Sequence, residues 1–321
     1  MKFRVFILSL LIASVGCSSS SVKKENYPPQ QIVSYNFDWD DNIAFMPTHI
    51  YLFHKDSNQE LQMSTSDFAI YREQVGKPGP YEDYKMNYDD QTGSFREFRD
   101  SSETNYFVRD VRKLLNQPNN KWKGPSFEAF QKALSHPATS QFTTVITARG
   151  HSGTTIQMGI QELKKKGLVD SVPPAQNLYG VSHPRFKGQA DSPSEIKVKV
   201  MLNILDRIEK TKLPEESVAV RSADGKSKTP LHLWGFSDDD YGNFETAAKI
   251  LSQEYAKGRW PHIKITLFFT GLHSPEKPKT KIIRPDGTLR DLMNDELVET
   301  NRILEPQNDL SSLRQNLSPA A

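Results

Sequence analysis

The chain has 321 residues, a quarter of them charged and a tenth aromatic, which excludes a disordered polymer and allows one large α/β domain with insertions or two small domains. Lysine and arginine number 41 against 39 aspartate and glutamate, a formal net charge of +2. So even a balance gives no overall electrostatic drive toward nucleic acid or an anionic surface.

At the N-terminus Lys2 and Arg4 precede an apolar run from Val5 to Ala13, and small residues then lead to Cys17, the single cysteine. This is the pattern of a secretory signal, too short for a membrane span. Ser14-Val15-Gly16-Cys17 resembles the lipobox of bacterial lipoproteins, in which the cysteine becomes the lipidated first residue of the mature chain. Cys17 also has no partner for an intramolecular disulfide. The resemblance implies export and anchoring through acyl chains on Cys17. Ser18 replaces the aspartate associated with inner-membrane retention, which implies the outer membrane, facing the periplasm. Residues 18–30, rich in serine, lysine and proline, read as a flexible tether.

The first strand is expected at 32–37, "IVSYNF", and ends in "DWDD", three carboxylates (Asp38, Asp40, Asp41) within four positions. Crowded carboxylates raise one another's pKa and need a reason. The next 94 residues (48–141) are too long for one crossover and read as an α+β cap or flap inserted after that strand. They open with a hairpin pattern turning at Asp56-Ser57-Asn58 and close with two helical patterns, 105–115 and 126–134. The insert's Tyr51, Phe53, Tyr71, Tyr84 and Tyr88 are candidates to line a pocket, but aromatics more often pack, and they read first as packing residues.

Four further strands follow, at 142–147, 177–182, 231–236 and 263–269, with helical patterns between them at 153–167, 194–210 and 242–257. This alternation predicts a Rossmann-like, doubly wound parallel sheet, with a core of 31–47 and 142–273 and a polar tail from 274 to 321. Ligands of such sheets bind beyond the carboxyl ends of the strands. There the sequence places "FDWDDN", "ITARGH" and "GFSDDDYGN". Carboxylates converging at one place repel unless a cation sits among them, and Mg²⁺, a hard ion preferring oxygen, would relieve that repulsion.

These motifs, in this order, resemble the haloacid dehalogenase superfamily, most of whose members are Mg²⁺-dependent phosphohydrolases. Asp38-Trp39-Asp40-Asp41-Asn42 matches its Asp-x-Asp-x-Thr/Val, with Asn42 in the last place. Thr147 matches the Ser or Thr after its second strand, and Asp238-Asp239 its later acidic pair. The resemblance implies Asp38 as nucleophile, Asp40 as acid and base, and Thr147 as a phosphoryl hydrogen-bond partner. It further implies a metal held by Asp38, the carbonyl of Asp40 and one of Asp238 or Asp239. It also implies a lysine at the start of a later helix. Lys197 shares a stripe with Met201, Ile204 and Ile208, whereas Lys199 shares one with Asn203, Asp206 and Lys210, so Lys197 faces the sheet.

The expected function is therefore a Mg²⁺-dependent phosphomonoesterase acting through an aspartyl-phosphate on a small phosphorylated substrate. Three other readings stay open: a phosphotransferase, a nucleic-acid end phosphatase, and a binding lipoprotein that keeps the fold without catalysis. Arg149 and His151 read equally as substrate contacts or as a surface loop, Asn243 as an orienting residue and His183 as structural.

Overall fold

The structure is a computed structural model that describes residues 32–135, 137–211 and 232–271, together with 220–221, 227–228, 277, 279–284 and 286–292. The signal segment, Cys17 and the tether lie outside the described residues. In chain order the elements are β1 (Val33–Phe37), β2 (Ile50–His54), β3 (Glu60–Met63), α1 (Thr65–Tyr71), β4 (Tyr84–Lys85), α2 (Tyr106–Leu114), α3 (Asn119–Trp122), α4 (Phe127–Ala133), α5 (Pro137–Ser140), β5 (Thr144–Thr147), α6 (Gly153–Lys165) and β6 (Leu178–Gly180). There follow α7 (Pro193–Glu209), β7 (Val220–Arg221), β8 (Ser227–Lys228), β9 (His232–Asp238), α8 (Tyr241–Ala256), β10 (Ile263–Phe269), β11 (Thr280–Ile283) and β12 (Leu289–Leu292). No described helix is long and apolar enough to cross a membrane.

The fold is mixed α/β around a seven-stranded sheet ordered β12-β11-β10-β9-β1-β5-β6. Its β10-β9-β1-β5-β6 portion is parallel, and this topology is compatible with a Rossmann-like fold. From β1 the chain builds outward through β5 and β6, then crosses back to β9 and β10. The strand order therefore reverses between β1 and β9, which is where such sheets open a crevice.

Helices cover both faces. Successive strand residues point to opposite sides, so Val145 packs with Phe37 and Leu178 under α2, α4 and α6, while Ile146 joins Trp234, Phe236 and Ile265 under α7 and α8. Each fully buried side chain of this size contributes about 1.5–3 kcal/mol. The helices start where side chains can accept orphan backbone N–H groups. Ser152 caps α6 through Thr155 N (3.2 Å), and Ser192 caps α7 through Glu195 N (3.3 Å) with Pro193 in its first turn.

The expected boundaries shift in two places. The 48–141 insertion is two objects. Its first part, the β3-β2-β4 sheet with α1 and the loop up to residue 99, is a flap over the carboxyl ends of the strands. Its second part belongs to the core: Phe107, Val111, Leu114, Phe127 and Phe130 are buried with Phe37 and Trp39. The tail also contributes, since β11 pairs antiparallel with β10 and β12 with β11, extending the sheet beyond residue 273.

The seat of α2 on α6 depends on Gly159, where a Cβ would lie 2.3 Å from Cε1 of Phe107. Gly159→Val is expected to lower the unfolding free energy by roughly 1–3 kcal/mol in urea denaturation. Val at the neighbouring, exposed Met158 is expected to change it by less than about 0.5 kcal/mol. Equal midpoints for the two variants would contradict the packing.

Candidate active site

Strand register sets the site. Phe37 of β1 lies level with Ser237 of β9, so the next residues, Asp38 and Asp238, emerge side by side. Phe37 points toward α4, and alternation therefore turns both aspartates to the opposite side, where α7 lies. One turn into α7, Lys197 extends to both: its Nζ donates to Asp38 Oδ1 and to Asp238 Oδ2, each at 2.8 Å. Lys197 is 2 % exposed and lies on a buried stripe with Met201, Ile204 and Ile208. Lys199 is exposed and donates instead to the carbonyl of Gln189. The helix-face reasoning thus selects the lysine that reaches the acids.

The rest of the acidic loop is held from several directions. Trp39 points into the core against Phe107 and Phe130, so Asp38 and Asp40 turn the other way. Asp41 takes a left-handed backbone conformation (φ 54°), one that few non-glycine residues other than Asp and Asn adopt. Asn42 is fully buried. Its Nδ2 donates to the carbonyls of Asp38 and Ser237 and to Ser237 Oγ, and its Oδ1 accepts from Ser126 and Thr270. A valine or threonine could not make both sets of bonds, so the asparagine here fastens the loop to β9, α4 and the strand-end loop after β10.

Across the crevice, Asp238 Oδ1 accepts from Asp240 N (2.9 Å) and Asn243 Nδ2 (3.2 Å), and Asn243 is itself held by Ser194 of α7. Asp239 is different: its carboxylate accepts no hydrogen bond from a described residue, and with Asp38 and Asp238 it offers oxygens within 4.8 Å of one another. Thr147 is buried at the end of β5 and lines the same cavity, its Oγ accepting from Arg149 N and its proton free to be donated.

Arg149 is the residue that sequence reading left undecided. It is 1 % exposed and grips Asp40 with two bonds, Nε to Oδ2 at 2.8 Å and Nη2 to Oδ1 at 2.6 Å. Its Nη2 also donates to Thr48, which donates to buried Asp110; Arg109 then bonds Asp110 and Glu97, and Glu97 accepts from Tyr51 of β2. A chain of buried polar contacts therefore runs from Asp40 into the flap. His151 is buried with both ring nitrogens unpartnered among the described residues, and His183 caps a short turn through Arg185 N. Neither lines the cavity.

Burial and mutual repulsion shape the charges. Burial pushes the Asp38 carboxyl up to about 8 against the pull of Lys197, and Asp238 and Asp40 add to the rise. Asp238 is raised by burial, and Asp239 well above the carboxylate range by burial and by Asp238, Asp38 and Asp41. Asp41 rises to about 6, from burial and then Asp40. Burial works against the ammonium of Lys197, but Asp238 and Asp38 outweigh it and hold it above the usual lysine range.

The cavity measures about 460 Å³. Asp38, Asp40, Asp41, Asp238, Asp239 and Asp240 line it against Lys197, Arg72, Arg99 and Arg149. The six acids exceed the four bases by two formal charges, the charge of one divalent cation. The carboxylates of Asp38, Asp238 and Asp239 fit such an ion in number, type and spacing. Comparison of the chain with protein-family models, with curated proteins and with solved structures found no match.

These carboxyls stand above their ordinary value of 3.8 in the folded chain. Between about pH 4 and about pH 8 these carboxyls therefore bind more protons in the folded chain than in the unfolded one, and their contribution to stability falls as pH rises through that window. A divalent cation bound among them would displace those protons and stabilise the folded state. Thermal melts are expected to show Tm of the cation-free protein falling from about pH 5 to about pH 8, and MgCl₂ raising Tm more at the higher pH. A cation effect independent of pH would contradict the assignment.

Proposed function

We propose that this protein is a Mg²⁺-dependent phosphomonoesterase of the haloacid dehalogenase type, acting through an aspartyl-phosphate and anchored on the periplasmic side through Cys17. The observation that carries the reading is Lys197 bridging Asp38 and Asp238 at the reversal point of a parallel sheet, with Asp40 two residues after the nucleophile and Thr147 on the adjacent strand. Order, spacing and spatial convergence of these groups all support it.

The chain's own residues can perform each proton and group transfer. An oxygen of Asp38 attacks phosphorus in line; the new bond is an acyl phosphate, and the bond broken is that from phosphorus to the ester oxygen. Asp40 gives its proton to that departing oxygen, then removes one from the water that attacks the acyl phosphate, releasing phosphate and restoring Asp38. Thr147 donates to one phosphoryl oxygen and Lys197 neutralises another. Delivery of a proton by Asp40 requires its pair of hydrogen bonds from Arg149 to open, so Arg149 sets the position of the acid as well as its availability. Asp38, Asp239 and Asp238 would hold Mg²⁺, which offsets charge on the phosphoryl group when bound.

The full-length chain is expected to hydrolyse a generic aryl phosphate in Mg²⁺ and not in EDTA. Asp38→Asn should lower turnover by roughly a thousandfold or more. Lys197→Ala should lower it by about a hundredfold, and Lys199→Ala by less than about twofold. Metal-dependent hydrolysis surviving in Asp38→Asn would overturn the mechanism, and equal losses for the two lysines would overturn the role of Lys197.

A further inference from the structure

The cavity has two unlike halves. Its floor is the acid cluster with Lys197 and Thr147, and its roof, supplied by the flap, is aromatic: Phe68 of α1 with Tyr88, Phe95 and Phe98 of the loop that follows β4. Phe95 is the centre of this group. Its ring lies 5.6 Å from Phe68 and 6.0 Å from Phe98, both edge-on, and 6.4 Å from Tyr88 with the planes only 31° apart.

Packing accounts for part of this cluster. Phe98 is buried and lies under the Arg149 guanidinium at 4.5 Å, so it is core. Tyr88 is the opposite case: it is 74 % exposed at the cavity wall, the most exposed large apolar side chain among the described residues. Leaving such a ring in water forgoes the gain of burying it, and among the described residues only Phe95, tilted by 31°, is within ring-contact range. Both rings border the cavity, where a flat ligand would find apolar surface to cover.

The two arginines of the roof already hold partners. Arg72 is paired with Asp240 at 3.1 Å. Arg99 is paired through Nε with Asp90 and donates through Nη1 to the carbonyl of Ser182. A sugar ring can lay its C–H face on such rings but also needs hydrogen-bond partners for its hydroxyls, whereas a planar aromatic group gains from stacking alone. The volume, about 460 Å³, lies within the range of sites that enclose a whole organic ligand.

We propose that the flap is a stacking ledge for a planar aromatic group, so that the substrate is a phosphate monoester bearing one, either a nucleoside or an aryl alcohol. This rests on the phosphohydrolase reading for the phosphate end of the ligand and adds the other end. Tyr88 and Phe95 are then the specificity-determining residues.

The test is calorimetric titration of the full-length protein, in Mg²⁺, with phosphonates whose P–C bond a phosphate-ester hydrolase does not cleave. The probes are benzylphosphonate, the phosphonate analogue of AMP and 2-hydroxyethylphosphonate, with inorganic phosphate as the fourth. At least one aromatic probe is expected to bind about tenfold tighter than hydroxyethylphosphonate. Tyr88→Ala and Phe95→Leu should each bring that ratio toward one; the first removes an exposed side chain, and the second keeps most of the volume in the flap. A tighter AMP analogue identifies a nucleoside substrate, and a tighter benzylphosphonate an aryl one. Binding of all four probes without aromatic preference, or a preference that survives both substitutions, overturns the ledge and leaves the phosphate site standing. Binding of none removes both.

Discussion

One buried ammonium holds this site together. In-register aspartates on adjacent parallel strands sit about 5 Å apart, which at an effective dielectric of ~20 costs about 3 kcal/mol if both are charged. Lys197 lies between Asp38 and Asp238 at 2.8 Å from each and is itself withdrawn from water. Buried ion triads rarely add stability over an apolar replacement of the same shape, because desolvating three charges consumes the attraction. Stability alone therefore does not explain the triad. The surrounding features follow from it: the capped start of α7 fixes the lysine, Asn243 and Asp240 N fix Asp238, and Asn42 fixes the loop that carries Asp38.

The second buried chain, from Asp40 through Arg149, Thr48, Asp110 and Arg109 to Glu97, gives the flap a polar connection to the acid and base of the proposed reaction. The Arg72–Asp240 pair ties the same flap to the start of α8. The element that lines the aromatic half of the cavity is thus fastened to both sides of the acidic half. The core half of the insertion, α2 and α4, supplies the rigid platform under Trp39 on which that loop turns.

Much of this was legible in the sequence, and for identifiable reasons. The five parallel strands were read from apolar, β-branched runs ended by turn residues, because a sheet covered on both faces leaves no other pattern. Lys197 was separable from Lys199 because a helix repeats every 3.6 residues and only one of the two shares a face with Met201 and Ile204. What stayed hidden depends on partners far away in the chain. Amphipathicity showed that 105–115 and 126–134 would be helices, but a hydrophobic stripe does not name the surface it covers, and both were assigned to a cap. Short strands β11 and β12 carry polar residues and were read as tail. Arg149 reads equally as a substrate contact or a loop arginine because nothing local reveals that Asp40, 109 positions earlier, closes over it. The aromatic half of the cavity is hidden for a related reason: nothing local separates Phe68, Phe95 and Phe98 from ordinary packing residues, and only contact with the cavity distinguishes them and Tyr88.

The account stands or falls on Asp38 as the group that becomes phosphorylated. Turnover of an aryl phosphate in Mg²⁺, quenched and reduced with borohydride, converts an acyl phosphate to the corresponding alcohol, so phosphorylated Asp38 becomes homoserine, detectable by peptide mass spectrometry. The account predicts homoserine at position 38 and at no other aspartate, dependent on both substrate and metal. Phosphate release with position 38 unmodified and another residue labelled, or with no residue labelled, would contradict it.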